Sequence, residues 1–198
     1  MEVIRYVLGP IATNTYLLKI DDKAILIDPA SKADKLIDIL GDLKLEAILL
    51  THGHFDHIKA VDGLYYKYKC PVFIHSADEI IARDKLSGRD FGLTAYISCP
   101  LTFIEEGPKQ IGPFSFETIY TPGHTEGSVI YVFDDCIFTG DTLFKGSVGR
   151  TDLYSGDARK LKQSLNIFKG FNKDYIIYPG HDDITSLNYE LATNYYLM

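Results

Sequence analysis

The chain has no tryptophan, two methionines and only three cysteines among its 198 residues. Cys70, Cys99 and Cys136 form an odd, widely spaced set without a CxxC pair, which points to plain core thiols in a reducing compartment. The opening Met-Glu-Val-Ile-Arg-Tyr-Val-Leu-Gly-Pro lacks a basic region followed by an apolar core and a small-residue cleavage site, so a cytoplasmic location is expected. No apolar run approaches the ~18 residues that a membrane span requires. Basic charge is also short: 20 Lys and Arg face 27 Asp and Glu, a formal net charge of -7 with the acids spread along the chain. Such a field repels phosphate backbones and anionic lipid surfaces, so neither nucleic acid nor membrane is the expected partner. Repeats, low-complexity segments and linkers are missing too, and residues 1–198 read as one domain.

Against this background, Thr51-His52-Gly53-His54-Phe55-Asp56-His57 stands out, because three of the six histidines fall within six residues. It follows Ala47-Ile48-Leu49-Leu50, an unbroken apolar run of strand length that reads as a buried strand. In an extended continuation, His52 and His54 project to one side, since side chains two apart share a face. A turn at Phe55 then aims Asp56 and His57 elsewhere, at the start of a helix expected over about 56–69. Two imidazoles on one side and a carboxylate with an imidazole on the other suit two neighbouring metal ions. Imidazole suits zinc and iron and carboxylate also accommodates manganese, so ligand type alone does not name the metal.

The rest of the chain alternates strands and helices. Strands are expected at 3–8, 14–20, 24–28 and 72–74, and a helix begins at Ser31, read as its cap with Asp34 as a capping-box partner. Residues 76–83 look helical. The stretch 84–100 looks irregular and has the length of a lid or of a plain surface excursion. Strands follow at 114–120, 128–133, 136–139 and 175–178, with a tight hairpin at Asp134-Asp135. Asp157 caps a helix bearing Ala158, Leu161, Leu165 and Phe168 on one face, and a closing helix starts near Ser186. The lone His75 reads as structural.

Three strands end in further turns of the same type: Pro122-Gly123-His124, Thr139-Gly140-Asp141 and Pro179-Gly180-His181. Glycine before each polar residue lets the backbone turn tightly and approach an ion. Singly each turn is a weak signal. Together with His52, His54, Asp56 and His57 they place five histidines and two aspartates after strands, which is the pattern of a dinuclear metal site.

The motifs HxHxDH at 52–57, TPGHTEGS at 121–128, FTGDTLF at 138–144 and YPGHD at 178–182, in this order, resemble the metallo-beta-lactamase fold superfamily. The run from Gly140 to Phe144, the stretch Gly146-Ser147-Val148-Gly149-Arg150-Thr151-Asp152 and the opening Thr13-Asn14-Thr15-Tyr16-Leu17-Leu18 are similar to its short bacterial glyoxalase II-like (hydroxyacylglutathione hydrolase-like) hydrolases. The resemblance covers essentially the whole chain. It implies an α/β four-layer sandwich of two mixed sheets flanked by helices. It further implies that His52, His54 and His124 hold one divalent ion, that Asp56, His57 and His181 hold the second, and that Asp141 bridges them. Zinc is the first expectation for both ions, with iron or manganese as alternatives.

The activity so implied is thioester hydrolysis, with S-acyl-glutathione or a related small-molecule thioester as substrate and a metal-bridging hydroxide as nucleophile. Asp56 serves in this reading both as ligand and as catalytic proton acceptor. Full-length glyoxalase II resembles this chain only in its catalytic domain, so Arg150 and Lys145, close in sequence to Asp141, are the candidates for binding a substrate carboxylate. Persulfide dioxygenases share the resemblance at HxHxDH and at Gly149-Arg150-Thr151-Asp152 and use one iron held by two histidines and a carboxylate; they are the alternative. A metal-bound scaffold without turnover is the third reading. A secreted beta-lactamase is disfavoured by the N-terminus and by an aspartate rather than a cysteine at Asp141.

Overall fold

The computed structural model describes residues 1–85, 88 and 92–198. Its first half contains β1 (Glu2–Leu8), β2 (Thr13–Ile20), β3 (Lys23–Ile27), α1 (Ala33–Leu40), β4 (Lys44–Leu49), α2 (Phe55–Ile58), α3 (Val61–Tyr68), β5 (Val72–Ile74), α4 (Glu79–Arg83) and β6 (Thr102–Phe103). The second half holds β7 (Gly107–Ile111), β8 (Phe114–Tyr120), β9 (Val129–Val132), β10 (Cys136–Gly140), the short pair β11 (Leu143–Phe144) and β12 (Ser147–Val148), α5 (Ala158–Leu165), β13 (Ile176–Pro179), β14 (Thr185–Ser186) and α6 (Leu187–Thr193).

Two six-stranded sheets result, in the orders β1-β2-β3-β4-β5-β6 and β14-β13-β10-β9-β8-β7. Both are mixed: short turns make β1, β2 and β3 antiparallel neighbours, whereas α1 carries the chain over to a parallel β4. Alternation along the strands sorts side chains into separate cores. In β3, Ala24 and Leu26 face the helices with Leu36, Leu40, Val61 and Leu64, while Ile25 and Ile27 face the other sheet. In β9, Val129 and Tyr131 face inward and Ile130 faces Leu161, Leu165 and Phe168. Strands buried on both faces read as continuous apolar runs, which is why β3, β4 and β9 are nearly all hydrophobic. Helices, sheet, sheet and helices therefore make the four-layer α/β sandwich.

Three local details differ from the expectation. The helix expected over 56–69 is split into α2 and α3, because the Ala60 N–H turns away to donate to the Pro29 carbonyl at 3.0 Å instead of continuing the ladder. Ser31 is not the cap of α1: Lys32 occupies that position with a φ of 56° and no side-chain capping bond. Asp157, by contrast, caps α5 as expected, its carboxylate accepting from the Arg159 and Lys160 N–H groups at 2.8 and 3.1 Å. Strand β7 was missed because Gly-Pro-Lys-Gln-Ile carries little apolar alternation; it is a sheet edge, where one side needs no partner and proline is tolerated. The stretch 84–100, read as a lid or a plain surface excursion, falls partly on residues 86, 87 and 89–91, outside the described residues.

Strand direction gathers the turns of interest. β8 and β10 each run antiparallel to β9, and β13 runs parallel to β10, so the carboxyl ends of β8, β10 and β13 share one edge of the second sheet. The turn after β4 meets them there. Val129 N–H donates to the Thr51 carbonyl at 2.9 Å and Asn14 N–H to the Gly180 carbonyl at 2.7 Å, which ties the two sheets together at that edge.

Candidate metal centre

Two sets of donor atoms converge at this edge. His52, His54 and His124 form one and Asp56, His57 and His181 the other, the donor atoms of each lying within 4.8 Å of one another. Asp141 faces both: its Oδ1 is 3.4 Å from His57 Nε2, and its Oδ2 is 3.4 Å from His124 Nε2 and 3.5 Å from His181 Nε2. All seven residues expected from the sequence are thus brought together. Gly180 is required at its position, because a Cβ there would overlap the Asp141 carboxylate. Gly140, with a φ of +48°, would likewise collide with Thr51 if it carried a side chain.

The imidazoles are held in defined orientations by residues that the sequence did not single out. Asp28 accepts from Thr51 N–H at 2.8 Å and Thr51 Oγ1 at 2.6 Å, and its Oδ2 lies 2.9 Å from His57 Nδ1. The His57 proton therefore resides on Nδ1, and Nε2 is left facing Asp56 and Asp141 at 3.2 and 3.4 Å. Because the Thr51 hydroxyl donates to Asp28, it accepts from His52 Nδ1 at 3.1 Å, which frees His52 Nε2. His124 Nδ1 donates to the Arg150 carbonyl at 2.7 Å, which leaves its Nε2 unprotonated, 2.8 Å from His54 Nδ1. Asp28, His52 and His57 also form a tight acidic and imidazole group. The Asp28 oxygens are already engaged by three donors, so Asp28 supports the centre rather than adding a third donor set.

A second buried carboxylate braces the turns. Asp78 accepts from Gly53 N–H at 2.8 Å, Thr125 Oγ1 at 2.7 Å and Gly127 N–H at 2.6 Å, so it links the turn of His52 and His54 to the turn of His124. Burial pushes its carboxyl up, and these donors act against that. His75 stays out of the centre, stacked on Tyr120 at 4.5 Å between ring centroids.

Electrostatics show how crowded the donors are. Burial, followed by the neighbouring His124, pushes His54 down to about 3, and burial together with His57 holds His52 well below its ordinary value. Burial also opposes charge on His57, but the carboxylates of Asp56, Asp141 and Asp28 outweigh it and raise His57 well above 6.5. Burial likewise disfavours the ionised forms of Asp56 and Asp141, and the surrounding imidazoles, His57 foremost, overcome it and keep both carboxyls low. His52 Nε2, His57 Nε2 and Asp141 Oδ1 are buried without a hydrogen-bond partner. Each such orphan costs about 1–3 kcal/mol, and three in one place, all metal-type donors, fit divalent ions.

The centre forms the floor of a cavity of about 1260 Å³. His54, Asp56, His124, Asp141 and His181 line its base, and Arg150 lies in its wall. The Arg150 guanidinium makes a bidentate pair with Asp152, at 2.6 and 2.8 Å. Lys145 is elsewhere: it borders a shallow recess with Gly146, Asp182, Asp183 and Tyr189, with its Nζ 3.4 Å from Asp183 Oδ2. The cysteines are buried free thiols, as expected, and burial pushes them up to about 11 for Cys70 and about 12 for Cys99 and Cys136. Among the described residues no helix is long and apolar enough to cross a membrane.

A two-sheet sandwich with a His/Asp metal site at the sheet ends is the arrangement of a metallo-hydrolase. The chain belongs to the metallo-beta-lactamase superfamily, whose family model matches residues 8–181. It is 39% identical over 177 residues to the probable metallo-hydrolase YqgX of Bacillus subtilis, covering 84% of this chain and 82% of that one. To the hydroxyacylglutathione hydrolase GloC of Haemophilus influenzae it is 33% identical, covering 93% and 92%. Among solved structures it is similar to the B3 metallo-beta-lactamase BLEG-1, at TM-score 0.93 and 36% identity over all of both chains. It is also similar to TTHA1623 in a di-iron-bound form, at 0.91 and 35% with 98% and 100% covered. The third is ETHE1 from Myxococcus xanthus, at 0.82 and 29% with 98% and 84% covered.

Proposed function

We propose that this metallo-hydrolase cleaves small-molecule thioesters of the S-acyl-glutathione type, using two divalent ions. The observation that carries the reading is Asp141, whose carboxylate lies within 3.5 Å of imidazole nitrogens from both donor sets. In this reading His52, His54 and His124 hold one ion, Asp56, His57 and His181 the other, and Asp141 both; a carboxylate between two dications reduces their repulsion. Zinc is proposed first and iron second, since a similar structure is described as di-iron-bound. The ions supply a polarised carbonyl and a hydroxide available near neutral pH.

The chain's own residues do the rest. Asp28 and Thr51 keep His57 and His52 with Nε2 presented inward, and the Arg150 carbonyl does so for His124. Asp56, which accepts from Thr13 Oγ1 at 2.8 Å and borders the cavity, is the proposed proton acceptor. A departing thiolate, with an ordinary thiol pKa of about 8.5, leaves without a strong acid beside it. Arg150 is the proposed wall cation for a substrate carboxylate, in competition with Asp152. Lys145, outside the cavity lining, is proposed only for a substrate long enough to reach the recess.

The relative named hydroxyacylglutathione hydrolase supports the thioester class. The persulfide dioxygenase, implied by the resemblance at HxHxDH and Gly149-Arg150-Thr151-Asp152, is the second reading, and the two complete donor sets support the hydrolase over it. The test is metal content per chain in protein purified without added metal, paired with assays on S-lactoylglutathione, a β-lactam and glutathione persulfide. Two metals with thioester turnover is the expected result. One iron, no hydrolysis and oxygen uptake with the persulfide would overturn it, and so would turnover of the β-lactam alone.

A further inference from the structure

Solitary exposed apolar side chains are ordinary on a protein surface. Three around one opening are not. Ile11, Ile80 and Tyr154 are 38%, 63% and 69% exposed, and all three line the cavity above the metal centre. They come from separate parts of the chain, the link between β1 and β2, helix α4 and the loop before α5. Phe55, Phe144 and Leu153 line the same cavity, and the Phe144 ring lies 5.8 Å from that of His181 between centroids.

The two arginines in that wall have their charge answered within the protein. Arg150 is paired with Asp152, and Arg83 donates to Glu79 Oε1 at 3.0 Å and to the carbonyls of Ile97 and Cys99. At about 1260 Å³ the cavity exceeds the ~300–1,000 Å³ usual for small-ligand sites, and a two- or three-carbon acyl group would leave much of it unfilled.

We propose that the preferred substrates carry an extended apolar acyl arm lying against Ile11, Ile80 and Tyr154. This rests on the thioesterase reading. The common small thiols are polar and charged, so the apolar surface falls to the acyl side of the scissile bond. Hydrolysis then transfers the acyl group to water, giving a carboxylate and the free thiol, with the C–S bond broken and a C–O bond formed.

The test uses the 198-residue chain as purified with its metal. S-acetyl-, S-butyryl- and S-hexanoylglutathione are compared by kcat/KM, and S-methyl- and S-hexylglutathione, which cannot be hydrolysed, by calorimetric binding. Each added methylene is expected to raise kcat/KM about two- to fourfold, given the transfer free energy of one buried methylene and a half-open wall. S-hexylglutathione is expected to bind at least tenfold more tightly than the methyl thioether. Ile80→Ser and Tyr154→Ser remove exposed side chains with no core role, and each is expected to lower the hexanoyl-to-acetyl ratio at least fivefold. Hydrolysis with a flat or falling series overturns this inference and leaves the thioesterase standing. Tighter hexyl binding without hydrolysis of any thioester supports the apolar arm and overturns the thioesterase. Equal binding of both thioethers without hydrolysis overturns both.

Discussion

Asp28 Oδ2 and His57 Nδ1 lie 2.9 Å apart at the end of the third strand, both side chains almost fully buried. This one bond decides which nitrogen His57 presents to the centre. Asp28→Asn retains the shape but can offer an amide N–H where the carboxylate oxygen was, favouring the wrong tautomer. Metal affinity is expected to fall about 10- to 100-fold. Competition with a chromogenic chelator measures it, and an unchanged circular dichroism spectrum separates the effect from misfolding.

The metal-free protein should be most stable near pH 6.5. His54, held down to about 3, gives up its proton on folding, so the unfolded chain binds more protons between about 3 and 6.5 and stability falls as pH drops through that window. His57 and His181 are raised and gain a proton on folding, so stability falls as pH rises above 6.5. Melting temperatures of chelator-treated protein across pH 4–9 test both limbs. With metal restored, the alkaline limb is expected to disappear, because the ion replaces those protons.

Asp78→Ala leaves the Gly53 and Gly127 N–H groups buried without an acceptor. The expected loss is about 2–5 kcal/mol in urea unfolding. Thr125 retains Ser128 Oγ at 2.7 Å, so its hydroxyl adds little.

Asp152→Asn releases Arg150 from an exposed bidentate pair. Exposed pairs contribute about 0.2–1 kcal/mol, so KM for an anionic thioester is expected to fall about two- to fivefold. A neutral thioester should show no change. Equal shifts for both substrates would remove Arg150 from substrate binding.

The donor set was legible because each member follows a strand-like apolar run and most are preceded by glycine, a local signal that survives without any tertiary information. Both sheets were legible wherever strands are buried on two faces, as at Ala47-Ile48-Leu49-Leu50. The supporting carboxylates were not. Asp28 precedes a proline and reads as the end of a strand, and Asp78 lies inside an apparently helical segment while its partners are 25, 47 and 49 residues away. Lys145 and Arg150 are five residues apart, yet the hairpin of β11 and β12 sends them to different recesses. Separation in sequence carries no information about which side of a hairpin faces the floor.

Each donor set draws on both halves of the chain: His124 joins His52 and His54, and His181 joins Asp56 and His57. An ion in either position therefore acts as a rivet between the two sheets. The first set is complete only once His124 has been synthesised and the second only with His181, so each ion can lock the sandwich only after strands of the second sheet have been made. Losing the ions should loosen the seam between the sheets before it disturbs either sheet alone.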